Sequence, residues 1–181
     1  MVVKMRLIVI FSSGSNPLFC TMNTLIKTDD KDLETFLRES NAIENEYSDE
    51  AYTDSWKSWK FLANFDELTI TRLLEVHRIL LLNIHNKIAG KIRTVDVRVG
   101  YSMCVSYERV EEKLNKLLEW IPKTEEEIKE WHVEYEKIHP FEDGNGRTGR
   151  IFMNWQRVLN DLTLLIIHEG EEQKEYYTWF N

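Results

Sequence analysis

The stretch HPFEDGNGRTGR, residues 139–150, lies between two segments with helical periodicity and decides how the rest of the chain is interpreted. It brings a histidine, two carboxylates, three glycines, an amide and two arginines into one short span. Glycines at the start of a helix let the main chain approach phosphate oxygens, and the N–H groups and helix dipole there attract an anion. The stretch therefore predicts a phosphate-binding loop that leads into a helix.

The charged side chains of this stretch are suited to nucleotide chemistry. Arg147 and Arg150 are three residues apart, so both guanidinium groups can reach one polyphosphate from the same helix face. Asp143 offers a hard oxygen ligand to a Mg²⁺ ion that takes its other ligands from phosphates and water. The imidazole of His139, with an ordinary pKa of about 6.5, can accept a proton near neutral pH. Together these residues predict phosphoryl or nucleotidyl transfer.

The same letters satisfy the dinucleotide-binding pattern GxGxxG through Gly144, Gly146 and Gly149. That pattern requires a buried strand directly before its first glycine. Here the preceding residues, 125–143, form a charged amphipathic helical pattern and a proline turn. A dinucleotide-binding fold is therefore rejected.

Outward from the motif, apolar residues recur at spacings of three and four, which is typical of helices with one buried face. The pattern predicts helices over residues 29–38, 51–65 and 69–85, then over 110–121, 128–138, 151–162 and 171–180. Residues 94–105 alternate like a strand and predict a small hairpin. The helical stripes assign Trp56, Trp59, Trp131 and Trp155 to the core. We expect a mainly α protein of roughly seven or eight helices with one hairpin.

The composition is that of one globular domain with a sizeable core. The chain has 181 residues, 43% of them hydrophobic, and a formal net charge of −8. This acidic balance argues against general binding to nucleic acid, which relies on cationic side chains. Cys20 and Cys104 are far apart and form no CxxC pair, so neither a disulfide framework nor a zinc site is indicated. A reducing, cytoplasmic compartment is expected.

The first residues carry basic side chains before an apolar run over residues 7–11. This run is too short for a membrane-spanning helix or a signal peptide, so no membrane contact is expected. Met22 follows a polar, turn-rich stretch, and a native start at Met22 instead of Met1 is a hypothesis. An intact mass that retains Met1 would contradict it.

Residues 139–150 match the signature HPFx[D/E]GNGRxxR at every fixed position, and on this basis the chain resembles the Fic domain family of adenylylating enzymes. Upstream, AGKIRTVDVRVG at residues 89–100 resembles the family's glycine break and flap hairpin. Downstream, Tyr176-Tyr177 resembles a tyrosine pair near the nucleotide base. The resemblance covers residues 51–181. It implies the Fic fold, a helical bundle around the motif loop and its helix, with one β-hairpin flap.

The resemblance also implies a role for each matching residue. His139 would be the general base that takes the proton from a Ser, Thr or Tyr hydroxyl of a target protein, and Asp143 would hold Mg²⁺ on the phosphates of ATP. Phe141 would anchor the motif loop. The remaining ATP contacts would come from Gly144, Asn145, Gly146 and Arg147 as an anion hole, Arg150 on the γ-phosphate, Val99 and Gly100 in the flap, and Tyr176 and Tyr177 beside adenine. The flap would also pair with the target by strand addition. Simple helix packing is the alternative for the tyrosines.

A second motif lies upstream, where Ser40-Asn41-Ala42-Ile43-Glu44-Asn45 resembles the pattern [S/T]xxxE[G/N] of an inhibitory helix in many Fic proteins. A Glu44 carboxylate delivered to Arg150 would occupy the donors needed for the γ-phosphate. Asn45 tolerates the left-handed conformation that would end a one-turn helix. A solvated helix end is the alternative for residues 40–44. The expected organisation is an extension over 1–28, an inhibitory helix region over 29–50 and a Fic domain over 51–181.

These observations predict a Mg²⁺-dependent protein adenylyltransferase that moves AMP from ATP to a target protein or to itself, held at low activity by Glu44. Gly146 favours nucleotidyl transfer, because relatives that act as kinases carry a lysine there. The alternatives are removal of AMP from a target, transfer of another phosphate-containing group, or a non-catalytic, antitoxin-like nucleotide-binding regulator. A target protein is the expected partner, nucleic acid and membrane are not, and the sequence leaves a homo-oligomer open.

Overall fold

The computed structural model describes residues 28–100 and 102–180, which form seven α-helices and one two-stranded antiparallel sheet. The helices are α1 (Asp30–Ala42), α2 (Asp49–Leu62), α3 (Ile70–Leu81), α4 (Val110–Leu118), α5 (Glu125–Ile138), α6 (Asn145–Leu159) and α7 (Glu171–Tyr177). The strands are β1 (Arg98–Val99) and β2 (Ser102–Met103), and single 3-10 turns cover Tyr107–Arg109 and Thr178–Phe180. The prediction of a mainly α protein with one hairpin is confirmed.

Polar caps fix where the helices begin. The side chains of Asp29, Ser48, Thr69 and Thr124 each accept a main-chain N–H from the first turn of the helix that follows. Thr124 and Glu127 also form a reciprocal capping box at the start of α5. Such caps satisfy N–H groups that have no partner inside the helix.

Helix α1 is longer than predicted, and the separate one-turn helix over residues 40–45 was a wrong prediction. The chain stays helical through Ala42, and Asn45, with a φ of 59°, ends the turn that follows. Ser40 and Asn41 are buried in the last turn, where Asn41 Oδ1 accepts from Ser55 Oγ at 3.0 Å. Tertiary partners therefore extend a helix that the apolar spacing alone did not.

The placement of Trp56 in the core was wrong, since its side chain is 41% exposed on α2. The buried stripe of α2 runs through Trp59 and Leu62, and Trp56 lies at its edge, beside the Lys60 ammonium at 5.5 Å. Trp59, Trp131 and Trp155 are buried as predicted.

Helix α6 is the central element of the core. Ile151, Phe152 and Trp155 pack with α5 residues Trp131 and Tyr135, whose rings stack at 5.7 Å. The Tyr135 and Thr148 hydroxyls are 2.8 Å apart in a hydrogen bond between α5 and α6. Helix α6 is therefore held along its length, which fixes the position of its N-terminus.

The hairpin is shorter than the predicted 94–105. Only Arg98↔Met103 and Val99↔Ser102 pair, around Gly100 with a φ of 58°. The outer parts of the predicted strands are held by a buried side chain instead, because Arg93 donates to the main-chain oxygens of Val95 and Val105. The hairpin is thereby tied to the body of the domain at its base.

The region 29–50 is part of the same body as the rest of the described chain. Leu33, Phe36 and Leu37 of α1 belong to the main core, and Phe36 contacts the Trp59 ring edge-on. The predicted boundary between residues 50 and 51 falls inside α2. The hypothesis of a start at Met22, together with most of the predicted extension over 1–28, lies outside the described residues. Within residues 28–100 and 102–180, no helix combines the length and apolar character needed to span a membrane.

Candidate active site

The motif loop turns from α5 into α6 through two left-handed residues, His139 with a φ of 50° and Gly144 with a φ of 75°. Phe141 is fully buried in the loop, as the sequence predicted. The Asn145 side chain ties the loop to α6, because its Oδ1 accepts the Phe141 N–H and its Nδ2 donates to the Phe141 oxygen, each at 2.9 Å. Asn145 thus serves the loop with its side chain and can meet an anion only through its main-chain N–H.

His77 on α3 packs against the motif loop and was not identified as a site residue from the sequence. Its ring stacks on Phe141 at 3.6 Å with a 2° interplanar angle. Nδ1 accepts the Gly90 N–H at 2.9 Å, so Nε2 carries the proton and donates to the Asp143 oxygen at 3.0 Å. Burial lowers the pKa of His77 to about 4, which keeps it neutral. The stacked, doubly bonded imidazole fixes the main chain of Asp143.

The first turn of α6 presents an anion-binding surface. The N–H groups of Asn145, Gly146 and Arg147 have no acceptor within the helix. The Arg147 guanidinium is buried beside them, and its Nε and Nη1 have no hydrogen-bond partner among the described residues. Buried donors without partners are costly, and an anionic ligand would satisfy them. The surface therefore fits a phosphate group.

Arg150, one turn further along α6, is already occupied. It is only 2% exposed, and its Nε donates to Ser40 Oγ at 2.9 Å. Its Nη2 donates to the Ser40 main-chain oxygen at 2.8 Å and to Glu44 Oε1 at 2.7 Å. The sequence-predicted residues Ser40, Glu44 and Arg150 are thus brought together across more than 100 positions of the chain.

Gly146 makes room for the Glu44 carboxylate. A Cβ added at Gly146 would collide with Glu44 Oε1 and would lie 2.9 Å from Arg150 Nη1. The carboxylate therefore sits directly on the first turn of α6, in the space that an anionic ligand of Arg150 would use. Glu44 itself is a stand-in anion at this surface.

His139 borders the same space as Glu44 and Arg150. Its side chain is mostly buried, and burial lowers the pKa of the imidazole below 6.5. Its main-chain oxygen accepts from Arg93 Nε at 2.8 Å, which ties the catalytic candidate to the base of the hairpin. Arg93 was not identified from the sequence, because its acceptors are main-chain oxygens that only the fold brings together.

A cavity of about 640 Å³ joins these groups. His139, Glu44, Gly146 and Arg150 line it, and so do Val99 and Gly100 from the hairpin and Tyr176 and Tyr177 from α7. Tyr177 is half-exposed, whereas Tyr176 is buried and its hydroxyl is hydrogen-bonded to His132 Nε2 at 2.8 Å. Of the pair, Tyr177 is the more accessible surface for a planar base, and Tyr176 forms the floor.

Asp143 is the available metal ligand of this site. Its half-exposed carboxylate accepts the Gly144 N–H and lies 3.7 Å from Arg147 Nη2 and 3.5 Å from His85 Nε2. The described part of the chain contains no group of three or more ligating side chains. One carboxylate beside an anion surface fits a Mg²⁺ ion, which needs few protein ligands when phosphates and water supply the rest.

Comparison with known proteins finds a protein family that matches the region of this site. The Fic/DOC family model matches residues 67–156, which include the motif loop and most of α6. Protein adenylyltransferase fic-1 of Caenorhabditis elegans is 36% identical over 119 residues, covering 62% of this chain and 23% of that protein. Protein adenylyltransferase Fic of Nematostella vectensis is 30% identical over 123 residues, covering 64% and 29%. The chain thus spans about a quarter of the length of these curated relatives.

Solved structures share the fold. Fic-1 of C. elegans, residues 134–508, superposes with a TM-score of 0.70 at 24% identity, covering 87% of this chain and 58% of that one. A Fic domain containing signaling protein of Bacteroides thetaiotaomicron also gives 0.70, at 22% identity, covering 82% and 70%. These likenesses confirm the predicted helical bundle with its hairpin flap.

Proposed function

Because the chain belongs to the Fic/DOC family through residues 67–156, we propose that it is a protein adenylyltransferase, which moves AMP from ATP to a protein hydroxyl. The observation that carries the proposal is a largely buried, neutral His139 that lines one cavity with Gly146 of the first turn of α6, where the buried Arg147 donors have no partner among the described residues. Family membership and the names of the relatives support this choice of reaction.

Each residue of the site has a separate role in the proposed transfer of AMP. His139 removes the proton from a target Ser, Thr or Tyr hydroxyl, whose oxygen then attacks the α-phosphorus of ATP. The bond from that phosphorus to the α,β-bridging oxygen breaks, and pyrophosphate leaves. The N–H groups of Gly146 and Arg147, with the Arg147 guanidinium, hold the phosphates, and Arg150 binds the γ-phosphate. Asp143 would hold Mg²⁺, which neutralises phosphate charge when bound.

We also propose that Glu44 inhibits the enzyme. Its carboxylate occupies Arg150 at 2.7 Å and lies over Gly146, so a γ-phosphate meets both a filled donor and a like charge. Nucleotide could bind only in a displaced pose while α1 keeps its last turn in place. Within this proposal, residues 29–50 form the inhibitory region and residues 51–181 the catalytic domain, although both share one core.

The hairpin is the proposed docking edge for the target. Val99 and Met103 are exposed on its short strands at the rim of the cavity. An extended target segment can add to such an edge by main-chain hydrogen bonds and bring its hydroxyl to His139. We propose that Tyr177 lies beside the adenine. A cytoplasmic location remains a prediction, which rests on the wide separation of the two cysteines.

Product analysis tests the reaction. ATP and Mg²⁺ are incubated with Glu44→Gly and with Glu44→Gly/His139→Ala, and the nucleotide products are followed by ³¹P NMR. Nucleotidyl transfer predicts pyrophosphate with the first variant and none with the second. Release of ADP instead would assign transfer of a phosphoryl group. Binding of ATP with no product in either variant would favour a regulator, or an enzyme that removes AMP from a modified protein.

A further inference from the structure

Glu136 on α5 is a carboxyl group in the catalytic cavity for which the proposed mechanism has no use. Its side chain lines the cavity with His139 and is about 13% exposed. One oxygen, Oε1, is buried without a hydrogen-bond partner among residues 28–100 and 102–180. A carboxyl group beside a catalytic base, with an orphaned oxygen, calls for a functional explanation.

The other oxygen faces the base. Glu136 Oε2 lies 3.7 Å from Nδ1 of His139, and that Nδ1 atom is itself buried without a partner in the described chain. Glu136 lies in the last turn of α5 and His139 follows that helix directly as its left-handed C-cap residue, so both side chains lie at the same end of α5. A modest side-chain rotation would close the gap, and catalytic hydrogen bonds are often long before substrate binds.

The neighbouring helix leaves space for this carboxyl group at a specific glycine. A Cβ added at Gly149 on α6 would collide with Glu136 Oε1 and would lie 2.9 Å from the His132 ring. The glycine within the motif therefore has a steric partner, and that partner is Glu136. The absence of a Cβ at Gly149 therefore leaves the Glu136 carboxyl group its place beside His139.

The charged and titratable surroundings of Glu136 come from every element around it. Arg150 of α6 and Glu44 after α1 act on the charge of Glu136, and Glu136 in turn acts on Tyr176 of α7, on Cys104 of the hairpin segment and on its neighbour Tyr135. Burial is the largest influence and raises the pKa of Glu136 to about 8, with Glu44 adding to the rise and Arg150 opposing it. Near neutral pH the group is therefore mainly an uncharged carboxylic acid whose second oxygen can still accept a hydrogen bond.

We propose that Glu136 is a positioning residue for His139: its carboxyl oxygen accepts a hydrogen bond from Nδ1–H and so keeps the Nε2 lone pair free for the target hydroxyl. When Nε2 takes the hydroxyl proton, the same contact stabilises the imidazolium. The proposal rests on the proposed role of His139 as base. Its competitor is the main-chain oxygen of Glu136, which also faces the imidazole.

The tautomer of His139 is the direct test. Protein labelled with ¹⁵N-histidine is examined without nucleotide by two-bond ¹H–¹⁵N correlation, and the His139→Ala spectrum assigns the signal. We expect His139 to be the Nδ1–H tautomer in the wild type and in Glu136→Gln, which keeps an acceptor oxygen. Glu136→Ala and the better space-filling Glu136→Met should lose this preference and show Nε2–H.

Activity provides the second readout, measured in the Glu44→Gly background. Glu136→Met should lower kcat on the order of 10- to 100-fold, as loss of an orienting partner commonly does, with little change in the KM for ATP. Glu134→Gln is the matched control, because Glu134 lies two residues away, half-exposed and paired with Lys137. It should leave both readouts unchanged.

The tautomer measurements distinguish a hydrogen bond to the Glu136 side chain from one to its main chain. If Glu136→Gln and Glu136→Met give the same His139 tautomer in folded protein, the side chain does not position the base and the proposal is wrong. An unchanged Nδ1–H tautomer in both would assign the hydrogen bond to the main-chain oxygen. The tautomer is measured without ATP, so an absence of AMP transfer would overturn the proposed function and leave this result standing.

Discussion

At the scale of single residues, the ion pair of Glu44 with Arg150 is the contact on which the proposed inhibition depends. Arg150 is buried, and a buried guanidinium needs a compensating anion. Glu44 supplies that charge now, and a γ-phosphate would supply it in the active state. Under the proposed inhibition, the two anions exchange at Arg150, and loss of one makes room for the other.

Glu44→Gly should raise self-adenylylation at least ~10-fold, the equivalent of ~1.4 kcal/mol, because charge-assisted hydrogen bonds of this kind contribute on that order. Incorporation of AMP from ATP labelled at the α-phosphate measures the effect. Glu46→Gly is the matched control, since the Glu46 carboxylate binds Ser48 and not Arg150. Equal incorporation in Glu44→Gly and wild type would remove Glu44 from the regulatory account.

The pH dependence of the reaction belongs to His139. Burial holds the pKa of His139 below 6.5, so the imidazole is neutral and able to accept a proton throughout the neutral range. The rate of Glu44→Gly should fall only as pH drops through that lowered pKa, giving an acid limb of kcat/KM with a midpoint below pH 6.5. A midpoint above 6.5 would show that another group, or a charged His139, controls the rate.

At the scale of elements, an ion pair and hydrogen bonds connect the end of α1 to the segment before α7. Glu39 pairs with His168 Nδ1 at 3.1 Å and accepts the Glu169 N–H at 3.1 Å, and Tyr47 donates to Glu169 at 3.0 Å. Gln173 of α7 reaches the Ile43 oxygen at 3.4 Å. These contacts hold the last turn of α1, and with it Glu44, over the cavity.

Glu39→Ala should therefore release part of the inhibition. We expect AMP incorporation to rise about 2- to 10-fold, because the lost hydrogen bonds contribute ~0.5–1.5 kcal/mol each to holding the end of the helix. Glu34→Ala is the control on the same helix, since among the residues that the structure describes Glu34 pairs with Arg38 alone. If both variants behave alike, the fastening of α1 to the α7 segment has no regulatory role.

Apolar periodicity was sufficient to predict most of the helices, because α1 to α5 each bury an apolar stripe. It failed where a distant partner decides the local structure. Ser40 continues α1 because Arg150 binds it, and the hairpin is short because Arg93 holds the Val95 oxygen. Trp56 fitted the apolar spacing but lies at the edge of its stripe.

The same limit applies to the candidate site. The motif predicted the anion surface and the role of His139 directly, since those residues are neighbours in the chain. His77 and Glu136 carry no local signal, because their importance comes from a stacked Phe141 and from a glycine on another helix. The spacing from His139 to Glu136 was visible, but nothing in the sequence distinguished that glutamate from the other acidic residues of α5.

At the scale of the whole molecule, Glu136 should make stability depend on pH. Its pKa is raised from 4.5 to about 8, so the folded state retains a proton that the unfolded state loses. Its contribution is fully present below pH 4.5 and is lost as pH rises to 8. At 1.36 kcal/mol per pKa unit, the contribution of Glu136 to the free energy of unfolding is at most ~5 kcal/mol.

Urea unfolding of wild type and Glu136→Gln at pH 5 and pH 8 measures this effect. From pH 5 to pH 8, the free energy of unfolding of wild type should fall by at least ~2 kcal/mol relative to that of Glu136→Gln, because glutamine cannot ionise. Buried His132, with a pKa lowered to about 3, acts with the opposite slope below pH 6.5 in both proteins and cancels in the difference. A difference independent of pH would show that Glu136 is ionised in the folded protein.

The most direct test of the central claim is the intact mass of wild type, Glu44→Gly and His139→Ala after incubation with ATP and Mg²⁺, followed by peptide sequencing of any product. The account predicts a covalent AMP adduct that is strong in Glu44→Gly, weak in wild type and absent in His139→Ala. No adduct in any of the three, with nucleotide still bound, would contradict adenylyl transfer by this chain and direct attention to a modified partner as the substrate.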